Sequence, residues 1–284
     1  MPNRFTRYQF LAQTLGATFA CRLPLSAAGE IRIGMIPDAG ATQVSIDEKV
    51  PLREYLAKAM GARVNLIIPT NYNATVEALG NGSLDFAYLG AVTYIKAHQM
   101  YGVTPLVQRS ADKQFHSLFI TQTQSAIKTL ADTKGKRFAF GDINSTSGHL
   151  IPHLELKASG INPDQDLKTR YTGSHAATAK AVEAGAVDAG GLDETVYQEM
   201  IADNKVDGKK VRVFFTSRPF VDYVWVARKD VGAKQQEAFA QAFLSLKEGH
   251  DDKVLGILRG KDFVRADDAE YSTVRNVARE LKML

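Results

Sequence analysis

The sequence predicts an α/β protein made of two lobes. Segments typical of strands and of amphipathic helices alternate strictly over residues 31–108, which indicates β-α-β units and a parallel sheet. Twice a strand segment follows another strand directly, at 116–121 and at 223–227. Two such crossings predict two α/β lobes that are joined by a double-strand hinge and face each other across a ligand cleft.

The elements of the first lobe are bounded by ordinary local signals. The helix predicted at 51–60 begins with Pro51 and is followed by Gly61, and these residues are favoured at those positions. We predict strands at 31–36, 63–68, 84–88 and 103–108, and helices at 51–60, 72–79 and 90–101.

The second lobe repeats the alternation, and helices close the chain. We predict strands at 116–121, 137–140, 167–171, 187–190 and 211–215, and helices at 127–130, 150–158, 176–184 and 194–202. After the crossing strand at 223–227, helices are predicted at 234–247, 252–258 and 267–283. We therefore assign residues 30–116 and 223–284 to lobe 1, and residues 117–222 to lobe 2.

Residues 1–28 have the pattern of an export signal peptide. Arg4 and Arg7 precede a mostly apolar stretch at 10–20, and the small residues at 26–28 suit a signal peptidase. We expect cleavage after Ala28 and a periplasmic protein; a retained amphipathic helix is the alternative. Cys21 is the only cysteine, and the residues before it match a lipoprotein motif poorly, so a lipid anchor is the less favoured alternative.

The charge of the chain argues against a nucleic-acid-binding protein. The formal charge is +4, but the first 28 residues contribute three arginines and no acid, which leaves the rest of the chain near +1. A basic surface that would bind nucleic acid is therefore not predicted. The hydrophobic fraction of 45% is typical of a globular domain, and no apolar run is long enough to span a membrane.

Residues 137–152 form the stretch with the clearest chemistry. A short apolar strand at 137–140 is broken by Gly141 and leads to Ser145, Thr146 and Ser147, just before a predicted helix. Hydroxyls, free backbone N–H groups and the positive end of a helix dipole can bind a small oxyanion without a metal. The simpler alternative is an ordinary helix cap in a serine-rich loop.

Other predicted strands also end in polar or aromatic residues. Because strands of a parallel sheet end at the same edge, these residues are expected to line the cleft. The strand-end segments are 38–42, 70–72, 88–90, 145–147, 173–175 and 192–194.

Four segments resemble the phosphate-, phosphite- and phosphonate-binding proteins of ABC importers, the PhnD-like branch of type II periplasmic binding proteins. These segments are 85–90, 141–152, 172–175 and 187–194, and the resemblance runs from about residue 31 to the C-terminus. The similarity is greatest to phosphite-binding members. It implies a ligand pocket lined by Tyr72, Tyr88, Ser145, Thr146, Ser147, His175 and Asp193.

The resemblance implies a monomeric transport protein that delivers a phosphorus oxyanion to a membrane permease, without enzymatic activity, cofactor or metal. Phosphite is the first choice of ligand; methylphosphonate, 2-aminoethylphosphonate and phosphate are alternatives. A secreted hydrolase of phosphorus esters and an effector-binding sensor domain are the alternative classes. The sequence shows no Gly-x-Ser-x-Gly motif, which argues against the hydrolase. It also shows no helix-turn-helix segment, which argues against the effector-binding domain of a regulator.

Two features of the sequence can be interpreted in a second way. Tyr72 could pack as a hydrophobic staple at the start of its helix instead of facing a ligand. His149 and His153 have the i, i+4 spacing of a metal pair, but Pro152 lies between them and no glutamate accompanies them, so metal binding is not expected.

Overall fold

The structure, a computed structural model, describes residues 29–284, so the predicted signal peptide and Cys21 lie outside the described residues. Eleven strands and eleven α-helices are described below in chain order. The strands are β1 (Ile31–Met35), β2 (Val64–Ile67), β3 (Phe86–Leu89), β4 (Thr104–Arg109), β5 (Ser117–Gln122), β6 (Arg137–Phe140), β7 (Lys168–Tyr171), β8 (Ala189–Asp193), β9 (Val211–Thr216), β10 (Val224–Ala227) and β11 (Phe263–Arg265).

The helices pack on two sheets, and short 3-10 or π turns join some of them. The helices are α1 (Gln43–Asp47), α2 (Val50–Met60), α3 (Tyr72–Gly80), α4 (Ala91–Tyr101), α5 (Ile151–Ala158), α6 (Pro163–Asp166), α7 (His175–Glu183), α8 (Glu194–Ala202), α9 (Ala233–Leu244), α10 (Asp252–Leu258) and α11 (Ser272–Glu280). Within residues 29–284 no helix is both long and apolar enough to cross a membrane.

Two separate sheets form the two lobes, as the sequence predicts. The sheet of lobe 1 has the strand order β11-β4-β10-β3-β1-β2, and the sheet of lobe 2 has the order β7-β6-β8-β5-β9. In each sheet the strands of the β-α-β units pair in parallel, whereas the crossing strands β10 and β5 pair antiparallel with both neighbours. Both sheets are therefore mixed: β5 is the opposed strand of the lobe 2 sheet, and in the lobe 1 sheet β11 also runs opposite to its neighbour β4. The residue limits assigned to the lobes from the sequence stay a prediction.

The two crossing segments are hydrogen-bonded to each other where the chain passes between the lobes. Phe115 and Phe220 exchange two backbone hydrogen bonds, each with an N···O distance of 2.9 Å. The backbone N–H of Ser117 also donates to the hydroxyl of Ser217 at 2.9 Å. The hinge is thus a paired, two-stranded connection.

Residues 127–130 do not form the predicted helix, and that prediction is wrong. Their backbone groups bond to side chains: the guanidinium of Arg212 donates to the carbonyl of Ile127 at 2.6 Å, and the carboxylate of Asp132 accepts from two N–H groups of the segment. A 3-10 turn follows at Ala131–Thr133. Helix propensity is judged from the segment alone and takes no account of partners such as Arg212. The sequence of the segment therefore suggests a helix that the structure does not form.

Three short elements were not predicted: α1, α6 and β11. The predicted helix at 267–283 is also shorter, because a 3-10 turn at Asp268–Tyr271 precedes α11. β11 has three residues and pairs only with the edge of β4, so it is too short to show a two-residue alternation.

Candidate functional site

Five helical segments begin at the interface between the lobes. The residues at their N-termini are Asn71 (α3), Gly90 (α4), Ser145 (the π turn that leads into α5), Ser174 (α7) and Asp193 (α8). The first two segments belong to lobe 1 and the other three to lobe 2. Helix N-termini have a partial positive charge and free N–H donors, so this arrangement favours an anion between the lobes.

The loop at 141–148, which we call the anion loop, joins β6 to the π turn and carries the three predicted hydroxyls. Its two ends are closed by a hydrogen bond from the N–H of Gly141 to the carbonyl of Gly148 at 2.8 Å. Ser145 caps the turn, because its hydroxyl accepts from the N–H of Gly148 at 3.0 Å. The capping interpretation therefore holds for Ser145, although its own O–H remains free to donate.

Thr146 and Ser147 have different surroundings from Ser145. The hydroxyl of Thr146 accepts from the N–H of Val92 at the start of α4, at 3.0 Å, and so links the lobes. The hydroxyl of Ser147 is buried and has no hydrogen-bond partner among the described residues. The carbonyl of Ser147 is held by the hydroxyl of Ser117 at 2.8 Å. The backbone at Ser147 is thus fixed while its hydroxyl stays available.

His175 lies at the centre of the site and is fully buried. Its Nδ1 accepts from the backbone N–H of Asp193 at 3.2 Å, and since an N–H can only donate, Nε2 carries the proton of the neutral ring. Nε2 faces the hydroxyls of Tyr72 at 3.3 Å and Tyr223 at 3.4 Å. Burial lowers the pKa of His175, which favours this neutral form.

Two carboxyl groups face the site with opposite preferences for a proton. Asp193 caps α8, with Oδ1 accepting from the N–H of Val196 at 2.8 Å. Burial alone would raise its pKa, but nearby positive charge, including the guanidinium of Arg259, outweighs burial and holds the pKa below its usual value. Burial, reinforced by Asp193, raises the pKa of Asp222 to about 8. Of these two groups, at neutral pH Asp193 is therefore a carboxylate and Asp222 a protonated carboxyl group.

Tyrosine rings form one wall of the site. The ring of Tyr88 is stacked on the ring of Tyr223, with centroids 4.9 Å apart and planes inclined by 8°. Trp225 packs against the other side of Tyr88 at 5.0 Å. Tyr72 is buried and faces His175, so it is part of the interface between the lobes rather than only a packing residue of α3.

Sequence reasoning missed three residues of this cluster: Asp222, Tyr223 and Arg259. Asp222 and Tyr223 directly precede the crossing strand β10, and a crossing is where the chain meets the cleft, so their position was a usable signal. Arg259 follows α10 with a left-handed backbone (φ 51°). It pairs with Asp38 of lobe 1 and, at 3.1 Å, with Glu199 of lobe 2. No local pattern relates residues so distant in sequence.

Several buried polar atoms around the cleft have no partner among the described residues, and four of them are oxygens. They are the hydroxyl of Tyr88, the hydroxyl of Ser147, and Oδ2 of both Asp193 and Asp222. Buried polar atoms are nearly always hydrogen-bonded, because an unsatisfied one costs free energy. Donors and acceptors gathered in one place in this way are suited to a small polar ligand.

A cavity of about 440 Å³ opens between the lobes beside this cluster. Its lining includes Ala39, Ala176 and Arg259, which are next to or part of the buried groups described above, together with Glu199 of α8. None of the seven predicted site residues lines this cavity. We therefore regard the cavity as the solvent side of the cleft and not as the anion site itself.

His149 has a structural role, and Nε2 of His153 lies 3.6 Å from a carboxylate oxygen of Asp164. Nδ1 of His149 donates to the carbonyl of Ile143 at 2.8 Å, and Nε2 accepts from the hydroxyl of Tyr171 at 2.9 Å. Both ring nitrogens are therefore occupied, and burial lowers the pKa of His149 to about 4. No group of three or more His, Cys, Asp or Glu side chains within residues 29–284 is arranged to bind a metal ion.

The fold and the cleft together define a two-lobed binding protein for a small ligand. A family model described as "ABC transporter, phosphonate, periplasmic substrate-binding protein" matches residues 33–271. The chain belongs to this family, which confirms the resemblance seen in the sequence. The family consists of substrate-binding transport proteins, so the protein is not an enzyme, and the hydrolase alternative is set aside.

Individual relatives differ in the ligand that their names give. The "Probable ABC transporter phosphite binding protein PhnD1" of Prochlorococcus marinus (strain MIT 9301) is 29% identical over 270 residues, or 89% of this chain and 90% of that protein. The "Phosphonates-binding periplasmic protein" of Escherichia coli K12 is 24% identical over 240 residues, or 80% and 70%. The crystal structure of PhnD1 in complex with methylphosphonate has a TM-score of 0.83, with 27% identity and coverage of 90% of this chain and 99% of that chain.

Proposed function

We propose that this protein is the periplasmic component of an ABC importer and binds a phosphorus oxyanion, with phosphite as the first choice of ligand. The four buried, unpartnered oxygen atoms at the junction of the lobes carry this proposal. Two of them are hydroxyls that can donate to oxygen, and two are carboxyl oxygens that can accept from a P–OH group or, as Asp222 does when protonated, donate.

The ligand is bound from both lobes. The anion loop would donate from Ser145, Thr146 and Ser147, and the proton on Nε2 of His175 faces the same region. The helix N-termini around the cleft add partial positive charge to these donors. Such a site suits an anion of one or two charges that keeps part of its surface apolar.

Selectivity for phosphite over phosphate rests on the tyrosines. Phosphite and methylphosphonate have three oxygens and one apolar substituent, whereas phosphate has four oxygens. The tyrosine rings offer an apolar surface to hydrogen or methyl, and a fourth charged oxygen would be buried there without a partner. A phosphonate remains the second candidate, because the acid groups Asp193 and Glu194 could pair with the ammonium of 2-aminoethylphosphonate.

The proposals on export, oligomeric state and partner follow from the class of protein. We propose that residues 1–28 direct export, that the mature protein is a monomer, and that it delivers its ligand to a membrane permease. Light scattering of the purified mature chain would measure its mass, and a dimer would contradict the monomer assignment.

Thermal melting tests the proposed function directly. The purified protein is mixed with phosphite, methylphosphonate, 2-aminoethylphosphonate, phosphate or sulfate. A ligand at one hundred times its dissociation constant should stabilise the fold by about 2.7 kcal/mol. We expect the largest shift with phosphite and the smallest with sulfate. If no phosphorus oxyanion raises the melting temperature, the proposed function is wrong.

A further inference from the structure

Helix α4 of lobe 1 is hydrogen-bonded to the anion loop of lobe 2. Besides the bond from Val92 to Thr146, the hydroxyl of Thr93 donates to the backbone carbonyl of Asn144 at 3.2 Å. The ammonium of Lys96 donates to the side-chain oxygen of Asn144 at 2.5 Å. Three bonds from one helix therefore end on two residues of the loop that carries the anion donors.

Lys96 differs from Val92 and Thr93 because its side chain carries a full positive charge. It is half-buried, and its hydrogen-bond partner is a neutral amide. Within residues 29–284, no carboxylate lies within ion-pair distance of its ammonium. The acid that acts on it from farther away is Asp142, whose Oδ1 is already occupied by the N–H of Asn144 at 2.7 Å. A partly buried cation without an ion pair is destabilising until a negative charge comes near it.

We propose that Lys96 is the residue through which lobe 1 senses the charge of the ligand held by lobe 2. This inference rests on the proposed function, because it requires an anion at Ser145–Ser147. An anion there supplies the negative charge that Lys96 lacks, and Lys96 reaches it only when α4 packs against the anion loop. The attraction therefore stabilises the closed form with an anion more than the closed form without one.

The test compares three variants at one position with a matched surface control. Lys96→Arg keeps the charge, Lys96→Gln keeps a donor without the charge, and Lys96→Met removes both. Lys58→Gln, at an exposed lysine of α2 in the same lobe, changes the net charge equally. Calorimetry measures the dissociation constant of phosphite at about 20 mM and about 300 mM KCl, because salt screens the charge but not the hydrogen bond.

We expect Lys96→Gln and Lys96→Met to bind phosphite roughly fivefold more weakly at low salt. The difference from wild type should narrow at high salt, and Lys96→Arg should bind within about twofold of wild type. Wild-type affinity in Lys96→Gln, or an equal loss in Lys96→Arg and Lys96→Met, would overturn the inference. If the wild-type protein binds no phosphorus oxyanion, the proposed function fails, and this inference fails with it.

Discussion

Gly148 and His175 approach so closely that a methyl group on Gly148 would lie 2.9 Å from Cε1 of the histidine ring. Real side chains essentially never make such a contact, and the ring is fully buried, so it has little room to move aside. The ring of His175 can occupy its observed position, and thus its orientation of Nε2, because Gly148 has no side chain.

Gly148→Ala should displace the His175 ring and weaken phosphite binding about tenfold or more, because a hydrogen bond to a charged group contributes roughly 1.5–3 kcal/mol. Calorimetry measures the loss. Gly256→Ala in α10 is the control, since its added Cβ would meet nothing within 4 Å. Helix propensity predicts that this control is stabilised by up to about 1 kcal/mol with unchanged affinity. Unchanged affinity in Gly148→Ala would show that His175 does not contact the ligand.

Ser147→Ala and Ser145→Ala should separate binding from capping. The Ser147 hydroxyl has no partner among the described residues, so its removal should lower phosphite affinity about tenfold with little change in melting temperature. Ser145 accepts from Gly148, so Ser145→Ala should also cost about 0.5–2 kcal/mol of stability. Calorimetry and melting are measured on both variants. The capping interpretation would be favoured if Ser147→Ala lowered the melting temperature and left affinity unchanged.

Asp222 should make the ligand-free protein less stable as pH rises. With its pKa raised to about 8, the folded protein keeps a proton that the unfolded chain releases above about pH 4. Its stabilising contribution is therefore fully present at low pH and is lost as pH rises toward 8. From about pH 6.5 to 8, the free energy of unfolding should fall by up to about 1.4 kcal/mol per pH unit.

Urea unfolding of wild type and Asp222→Asn across that range measures this contribution. The variant should show a flatter dependence, because asparagine has no proton to lose. The range avoids the opposite effect of His175, whose lowered pKa removes stability as pH falls below about 6.5. Parallel curves for the two proteins would contradict a protonated Asp222.

Asp193 should favour phosphorus oxyanions that carry a P–OH proton over sulfate, which carries no proton at neutral pH. An ionised carboxylate can only accept, so it prefers a ligand that keeps a P–OH proton and repels a fully deprotonated anion. Asp193→Asn should therefore narrow the difference in affinity between phosphite and sulfate. Wild-type affinity for phosphite should also exceed that for phosphate by a wide margin, because the tyrosine rings suit the apolar P–H group and not a fourth oxygen. Competition calorimetry with phosphite, phosphate and sulfate measures both differences, and equal wild-type affinities for phosphite and phosphate would contradict this explanation of selectivity without affecting the class of protein.

Ligand binding should draw the two lobes together. Thr146 and Val92 are bonded in the structure, and an open form must break this contact. Small-angle scattering should show a smaller radius of gyration with saturating phosphite than without it. Gly90→Ala should reduce the change, because its Cβ would lie 3.3 Å from both Thr146 Oγ1 and Asp222 Oδ1. An identical wild-type profile in both conditions would indicate a site that is closed before the ligand arrives.

The sequence predicted the architecture because the signals for it are local. Two interruptions of a regular alternation located the crossing strands β5 and β10, and the polar residues after β6 located the anion loop. The three hydroxyls lie on this one loop, but their different hydrogen-bond partners were not visible in the sequence. Those roles depend on partners in other elements: Val92 for Thr146, and Ser117 for the backbone of Ser147.

The ion pair of Arg259 could not be predicted from the sequence. Its partner Asp38 is 221 residues away, and the contact exists because α10 and the loop after β1 meet at the cleft. The protonation of Asp222 is equally out of reach, since it results from complete burial and from the neighbouring carboxylate of Asp193. Both are properties of the assembled lobes and not of any segment.

The helix N-termini around the cleft bear on how such a protein evolves. The positive end of a helix comes from its backbone, so it survives most substitutions along the helix. The part of the site that attracts an anion can therefore persist while the rest of the sequence drifts. In the site we propose, the choice among anions would depend on a few side chains, Asp193, Asp222 and the tyrosines. A lineage with such a site could then change its ligand by replacing one or two residues, without building a new scaffold.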